Sequence, residues 1–324
     1  MKIGILATGA ITHSVVPTLL KMDEIECYAV ASRSLEKAED FKTKYGFSKA
    51  YGSYEDMLED PKVELVYVAS PHSHHYEHMM LCIEYGKPVI CEKAFTVNAR
   101  QAKQIKEYAK KKNVFVSEAI WTRYMPSRKI IEDVLKEGLI GKIKTITANL
   151  YYNVGHRERL SDPKLAGGAL LDVGVYCVNF ASMFFGYDIE RIKSSAHMID
   201  SGVDGENSIT IYYKDGRNAV LTDGIFARSD RKGIFYGEKG YIIVENINNP
   251  QSVSVYDDND VLLKTYEVPS QISGYEYEFE ECVKAINEGR TESYSMPLDE
   301  SIRVMEIMDA AREKWGFRYP MELD

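Results

Sequence analysis

KPVICEKAF, residues 87–95, sets the short apolar run PVICE directly against Lys93. A run of that length, bounded by proline and a charge, reads as a buried parallel strand. A lysine at its carboxyl end then faces the crevice where open α/β sheets bind ligands. Outward from this strand the first 118 residues keep one rhythm, β-rich runs alternating with helix-period segments. The runs are KIGILA, IECYAVAS, a short KAY, VELVYVAS, PVICE and VFVSE, with helices expected near 10–21, 35–45, 53–58, 75–85 and 98–112. That alternation predicts an α/β Rossmann domain, a doubly wound parallel sheet covered by helices.

From about residue 120 the rhythm changes. Helices are expected near 126–138 and 168–185, then alternating strands: KIKTITANLYYN, IERIKSSAHMI, NSITIYY, NAVLTDGIF, KGIFYG and YIIVEN, with turn signals KDGR and GEKG. These predict a C-terminal α+β domain with a mostly antiparallel open sheet, closed by helices near 275–288 and 297–314. The expected division is 1–119, a dinucleotide-binding domain, and 120–324, a substrate-binding and oligomerisation domain. One face of the open sheet is left needing a partner, which predicts a homodimer or homotetramer.

A chain of 324 residues is long enough for two cores, and 45% hydrophobic with 27% charged residues is ordinary globular composition. A net charge of −9 without a basic run argues against nucleic acid. Cys27, Cys82, Cys91, Cys177 and Cys282 are odd in number and scattered, so neither disulfides nor a zinc site is indicated and a reduced cytoplasmic setting is expected. Thr8, Gly9, Thr12, His13 and Ser14 interrupt the apolar N-terminal stretch, and no segment reads as the roughly 18 apolar residues of a membrane span.

Three loops predict where a dinucleotide binds. In GILATGAIT, residues 4–12, Thr8, Gly9, Ala10 and Ile11 form the first strand-to-helix turn, where small residues let the backbone approach a pyrophosphate. Measured against GxGxxG, Ala7 and Thr12 replace the first and third glycines. After the second strand stand Ser32, Arg33 and Ser34, with Lys37 one turn on, where an NAD site usually shows an acid. A guanidinium with hydroxyls matches a 2′-phosphate, so NADP is favoured over NAD. SPHSHHYEH, residues 70–78, gives His74 and His78 metal-ligand spacing, but no further cysteine or carboxylate completes a set; no metal is expected, and Ser70, Pro71 and His74 read as cofactor-adjacent.

GGALLDVGVY, residues 167–176, supplies Asp172 and Tyr176 four apart, so one helix face can carry both. Lysine, carboxylate and phenol together suggest proton transfer coupled to hydride transfer. A free phenol titrates at about 10 and needs a nearby cation to serve as a base at neutral pH. Lys93 is the candidate cation, with Tyr176 taking the hydroxyl proton and Asp172 holding the lysine; Lys93 and Tyr176 both remain candidates for the proton carrier.

With KPVICEKAF, EAIWTRYMP (118–126), AGGALLDVGVY (166–176) and MDAAREKWGFRYP (308–320) in order, the chain resembles the Gfo/Idh/MocA oxidoreductases. Within that family it is most similar to the branch of dimeric dihydrodiol dehydrogenases and NADP-linked D-xylose dehydrogenases. The resemblance implies that Glu92 and Lys93, in the place of the family's EKP motif, lie at the cofactor and that Lys93 touches substrate; Ala94 stands where the motif has proline. Trp121 and Arg123 match the branch's WTR string, which implies that Trp121 lies beside the nicotinamide and substrate and that Arg123 is cofactor-binding, and Tyr176 stands where other branches place a histidine. Asn179 stands where many relatives have aspartate. Tyr124, Tyr152, His156, Arg157 and Arg159 are further pocket candidates. The expected activity is NADP-dependent hydride transfer with a sugar, polyol or cyclic diol. The alternatives are an NAD-linked inositol or nucleotide-sugar dehydrogenase, and a non-catalytic NADP-binding regulator.

Overall fold

Strands β1 (Lys2–Leu6), β2 (Glu26–Ala31), β3 (Lys49–Tyr51), β4 (Leu65–Val68), β5 (Val89–Glu92) and β6 (Val116–Ala119) pair in parallel in the order β3-β2-β1-β4-β5-β6. The computed structural model describes residues 1–323. Strands β4, β5 and β6 are buried at every position, which is why β4 and most of β5 read as continuous apolar runs, while β6 buries Ser117 and Glu118.

The connecting helices are α1 (Thr12–Leu19), α2 (Leu35–Tyr45), α3 (Tyr54–Glu59), α4 (His72–Glu84) and α5 (Ala99–Lys112). Ser34, Ser53 and Asn98 cap α2, α3 and α5 by accepting the amides of Lys37, Asp56 and Gln101. Gly46 and Asn113 end α2 and α5 in the left-handed region.

Beyond α6 (Pro126–Glu137) come β7 (Ile143–Tyr151), α7 (Glu158–Ser161), α8 (Val175–Phe185), β8 (Ile189–Met198), β9 (Asp204–Tyr213), β10 (Asn218–Gly224), β11 (Gly233–Gly237), β12 (Gly240–Val244), β13 (Ser252–Asp257) and β14 (Leu262–Glu267). These strands form a second sheet in the order β14-β13-β12-β11-β7-β10-β9-β8. Every pair in it is antiparallel except β7 with β10. Along β9 buried and half-buried positions alternate, so one face packs inward, where Phe180 and Phe184 of α8 meet Phe235 of β11.

Four expectations change. The helix expected near 168–185 is a wide π turn over Leu170–Gly174 that runs into α8. The hairpin β13–β14 was not foreseen, because β14 is exposed along nearly its whole length and carries no inward face to betray it. Pro163–Phe185 is, contrary to the sequence reading, long and apolar enough to cross a membrane by composition, but 83% of its most apolar window is buried inside the fold.

The fourth concerns chain division. One compact unit comprises Met1–Trp121 with Gln271–Ile302, and the other Thr122–Ser270 with the chain from Arg303. The segment from Gln271, expected with the second half, returns to the first. There Phe279 of α9 (Glu276–Asn287) packs edge-on against Tyr67, with centroids 5.4 Å apart. The Val116 amide donates to the Thr291 carbonyl, and the Thr18 and Ser273 hydroxyls pair at 2.7 Å.

Candidate active site

In the first unit the predicted residues stand at the carboxyl ends of successive strands, the edge where parallel sheets bind ligands. Thr8, Gly9, Ala10 and Ile11 link β1 to α1. Ala7, in the place of the fingerprint's first glycine, has φ +76°, a conformation alanine rarely adopts. A Cβ on Gly9 would lie 3.0 Å from the Ala69 carbonyl oxygen. Ile11 caps α1 without a side-chain bond, and the amides of Gly9, Ala10 and Ile11 meet no protein acceptor among the described residues. A turn with open amides at a helix start fits a pyrophosphate.

Ser32 is buried at the end of β2, while Arg33 and Lys37 are exposed. The Ser32 hydroxyl accepts the Ser34 amide at 3.4 Å, and Ser34 is engaged as the cap of α2. Arg33 therefore extends from a fixed turn, near Tyr54 and His78.

The histidine cluster at the start of α4 is a structural tie. His74 and His78 stack with centroids 5.6 Å apart; Nδ1 of His74 pairs with the Ser73 hydroxyl and Nδ1 of His78 with the Ser70 hydroxyl. His75, which the sequence reading did not single out, is fully buried, with Nδ1 2.8 Å from the Ala94 carbonyl and Nε2 2.9 Å from the Ser70 carbonyl. Burial pulls its ring down to about 4, so it is neutral and donates through one nitrogen. It ties the turn bearing Ser70 and Pro71 to the residue that follows Lys93.

Lys93 is half-buried, and its peptide bond to Ala94 is cis although alanine stands in place of proline. The Glu92 carboxylate accepts the Tyr67 hydroxyl and, at 3.3 Å, the Lys93 amide. Burial, then Glu92, pushes the Tyr67 phenol far up, so it stays a donor. Behind them lies Glu278 of α9, whose two buried oxygens have no hydrogen-bond partner among the described residues; burial and then Glu92 push its carboxyl well above the usual range, so it is neutral. Trp121 is 9% exposed and stacks on Tyr275, centroids 4.3 Å apart and planes 19° from parallel. No sequence spacing linked Tyr275 to Trp121, because 153 positions separate them.

In the second unit Asp172 and Tyr176 stand on the wide turn and the first turn of α8. From Ala166 through Ser182 every residue is buried except Tyr176, which is half-buried. Asp172 is 6% exposed and accepts Arg159 Nη1 at 2.9 Å. Arg123 is 2% exposed; its Nε donates to Asn179 Oδ1 at 2.6 Å and its Nη2 to the Tyr187 hydroxyl at 3.0 Å. The Asn179 amide donates onward to the Val175 carbonyl, so Asn179 links the arginine to α8. Tyr124 is half-buried, the Tyr152 hydroxyl accepts Asn248 Nδ2 at 3.0 Å, and His156 and Arg157 are exposed.

Beneath the wide turn lie residues the sequence reading missed. Asp204 and Asp223 are fully buried, Asn207 is 4% exposed, and the Asn207 amide donates to both carboxyls. The available signal was an acid near the end of an apolar strand run, NAVLTDGIF.

A profile described as "Oxidoreductase family, NAD-binding Rossmann fold" matches residues 1–120, and one described as "GFO/IDH/MocA C-terminal domain" matches residues 129–243. Mouse trans-1,2-dihydrobenzene-1,2-diol dehydrogenase is 33% identical over 98% of each chain. The Xenopus laevis enzyme of the same name is 35% identical over 98% of this chain and 99% of its own. Among solved structures, a 3-ketoreductase of Actinomadura kijaniata in complex with NADP and TDP-benzene superposes with a TM-score of 0.90 at 24% identity, covering 97% of each chain.

Proposed function

Because the chain belongs to the Gfo/Idh/MocA family of NAD(P)-dependent oxidoreductases, we propose that it is an NADP-linked dehydrogenase or reductase acting on a CH–OH or C=O group of a sugar, polyol or cyclic diol. The observation that carries the reading is Tyr176, a half-buried phenol in a buried segment, in the first turn of α8 directly after a wide turn that bears a buried carboxylate. π turns of this kind concentrate at functional sites. The dihydrodiol dehydrogenases named above support the substrate class, and the ketoreductase crystallised with NADP supports the cofactor.

Thr8, Gly9, Ala10 and Ile11 hold the pyrophosphate; Ser32, Arg33 and Lys37 take the 2′-phosphate; Ser70, Pro71, His74, Glu92, Lys93, Trp121 and Arg123 serve the nicotinamide end. Bound NADP supplies a ring that accepts or gives hydride. In the oxidation direction Tyr176 takes the hydroxyl proton, Lys93 orients the oxygen and its charge favours the phenolate, and Asp172 is the carboxylate of the set. Arg159 Nη1 donates to Asp172 Oδ1 and so holds the carboxylate in place. Solved forms of the Actinomadura enzyme include two variants of one lysine and one tyrosine variant, so the same residue types were probed there.

The second sheet's exposed face pairs with a second copy. Five buried free cysteines support a cytoplasmic setting.

Titrating the protein with NADPH and with NADH by fluorescence, then adding aldoses, dicarbonyls and cyclic diols, tests the reading. Tighter NADPH binding with substrate-dependent cofactor turnover is expected. Binding without turnover across the panel would indicate a regulator instead, and NADH preference would overturn the reading of Arg33.

A further inference from the structure

The turn that carries Asp172 and leads into Tyr176 rests on two buried acids with no role in the reaction above. Asp204 opens β9, Asp223 lies near the end of β10, and Asp223 stands opposite Asn207 across the two strands. Asn207 Nδ2 bridges them, 3.0 Å from Asp204 Oδ2 and 2.7 Å from Asp223 Oδ1. Asp204 Oδ2 also accepts the Leu170 amide at 2.7 Å, which is the first residue of the wide turn.

Both ends of the turn close on these carboxyls. A Cβ at Gly168, whose φ is +110°, would fall 2.2 Å from Asp204 Oδ1, and a Cβ at Gly174 would fall 2.7 Å from Asp223 Oδ2. Asp172 lies between the two glycines and Tyr176 two residues beyond the second. From the C-terminal segment the Tyr319 hydroxyl donates to the Gly167 carbonyl at 2.6 Å, so the turn is approached from a third side.

We propose that Asp204, Asn207 and Asp223 form the seat of the wide turn and are positioning residues for the reaction, setting the directions of Asp172 and Tyr176 without touching substrate or cofactor. The inference rests on the functional reading above. Chemistry agrees with the geometry. Two carboxyls in one dry site cannot both ionise cheaply. Burial pushes Asp204 up to about 6 and Asp223 well above the usual carboxylate range, the latter helped by Asp204. The ionisable groups facing the pair are Arg312 and Tyr319 on the Asp204 side and Cys177 and Tyr151 on the Asp223 side.

The test compares Asp204→Ala, Asp204→Asn and Asn207→Ala in the full chain. The readouts are hydrogen–deuterium exchange over Leu170–Tyr176, NADPH affinity, and kcat and KM with trans-1,2-dihydrobenzene-1,2-diol and D-xylose as probes. Asp204→Ala is expected to speed exchange of the turn by about tenfold or more, since the Leu170 amide loses its acceptor. It is expected to lower kcat by about tenfold to a hundredfold, more than it changes KM, with NADPH affinity within about twofold. Asp204→Asn keeps an oxygen for the amide and should restore kcat to within about threefold of wild type. Should Asp204→Ala not fold, Asn207→Ala, which removes the donor bridging both carboxyls, is expected to loosen the seat and move exchange and kcat in the same direction. Wild-type exchange and kcat in the alanine variants, or an asparagine variant as impaired as the alanine one, would overturn the inference while wild-type turnover stands. A wild-type chain inactive on both probes and on the wider panel would overturn the functional reading, and the positioning role with it.

Discussion

Tyr176 and Arg33 make opposite demands on their surroundings. The phenol is held in a buried segment, so its chemistry is set by the few groups near it; the guanidinium is exposed and contributes by charge and reach. Tyr176→Phe removes one hydroxyl and should lower kcat by about two to four orders of magnitude, with NADPH affinity unchanged, as read by steady-state kinetics beside a fluorescence titration. An unchanged kcat would take the proton from Tyr176 and leave Lys93 as its carrier. On the proposed reading, Arg33→Asp exchanges a charge that suits the 2′-phosphate for an acid that suits the ribose hydroxyls. The ratio of NADPH to NADH dissociation constants should move towards NADH by about tenfold to a hundredfold, the worth of one or two charge-assisted bonds.

At the scale of elements, Leu170–Gly174 is where regular α-helix gives way to a wider π winding. A continuous α-helix would have satisfied the same apolar pattern; the close approach of Gly168 and Gly174 to Asp204 and Asp223 accompanies the wider winding. Burying these acids has a pH signature. The Asp204 carboxyl rises from 3.8 unfolded to about 6 folded, so the folded state binds more protons than the unfolded state between those values. Its contribution is fully present below about pH 4 and is lost as pH rises through about 6, a change of about 3 kcal/mol. Asp204→Asn has no such proton to lose. Its stability relative to wild type, from urea unfolding, should rise between pH 4 and 6.5; a constant difference would show that Asp204 ionises normally.

For the whole molecule, the second sheet presents an exposed face that includes Val220, 38% exposed on β10, and Tyr236, 40% exposed on β11. Closed by a second copy, such a face gives a two-fold dimer. Sedimentation should find a dimer, and Val220→Glu should shift it towards monomer; a wild-type monomer at micromolar concentration would exclude the pairing. The parallel sheet was legible in the amino-acid sequence because strands buried on both faces are largely apolar, and PVICE is apolar up to the glutamate that precedes Lys93. The loops proposed for the cofactor were picked out for a related reason: chemistry at strand ends needs small or charged residues at fixed offsets, as in GILATGAIT and Ser32–Arg33. Lys93 stood out as a cation at the carboxyl end of an apolar strand, and Asp172 and Tyr176 by their spacing of four on one helix face. Sequence order could not disclose that Tyr275 stacks on Trp121, that Glu278 lies behind Glu92, or that Gln271–Ile302 returns to the first unit. Nor could it place Asp204 and Asp223 under one turn. Those pairings join residues far apart in the chain, and a side chain's local pattern records whether it is buried but not against what; that choice is made when the elements pack.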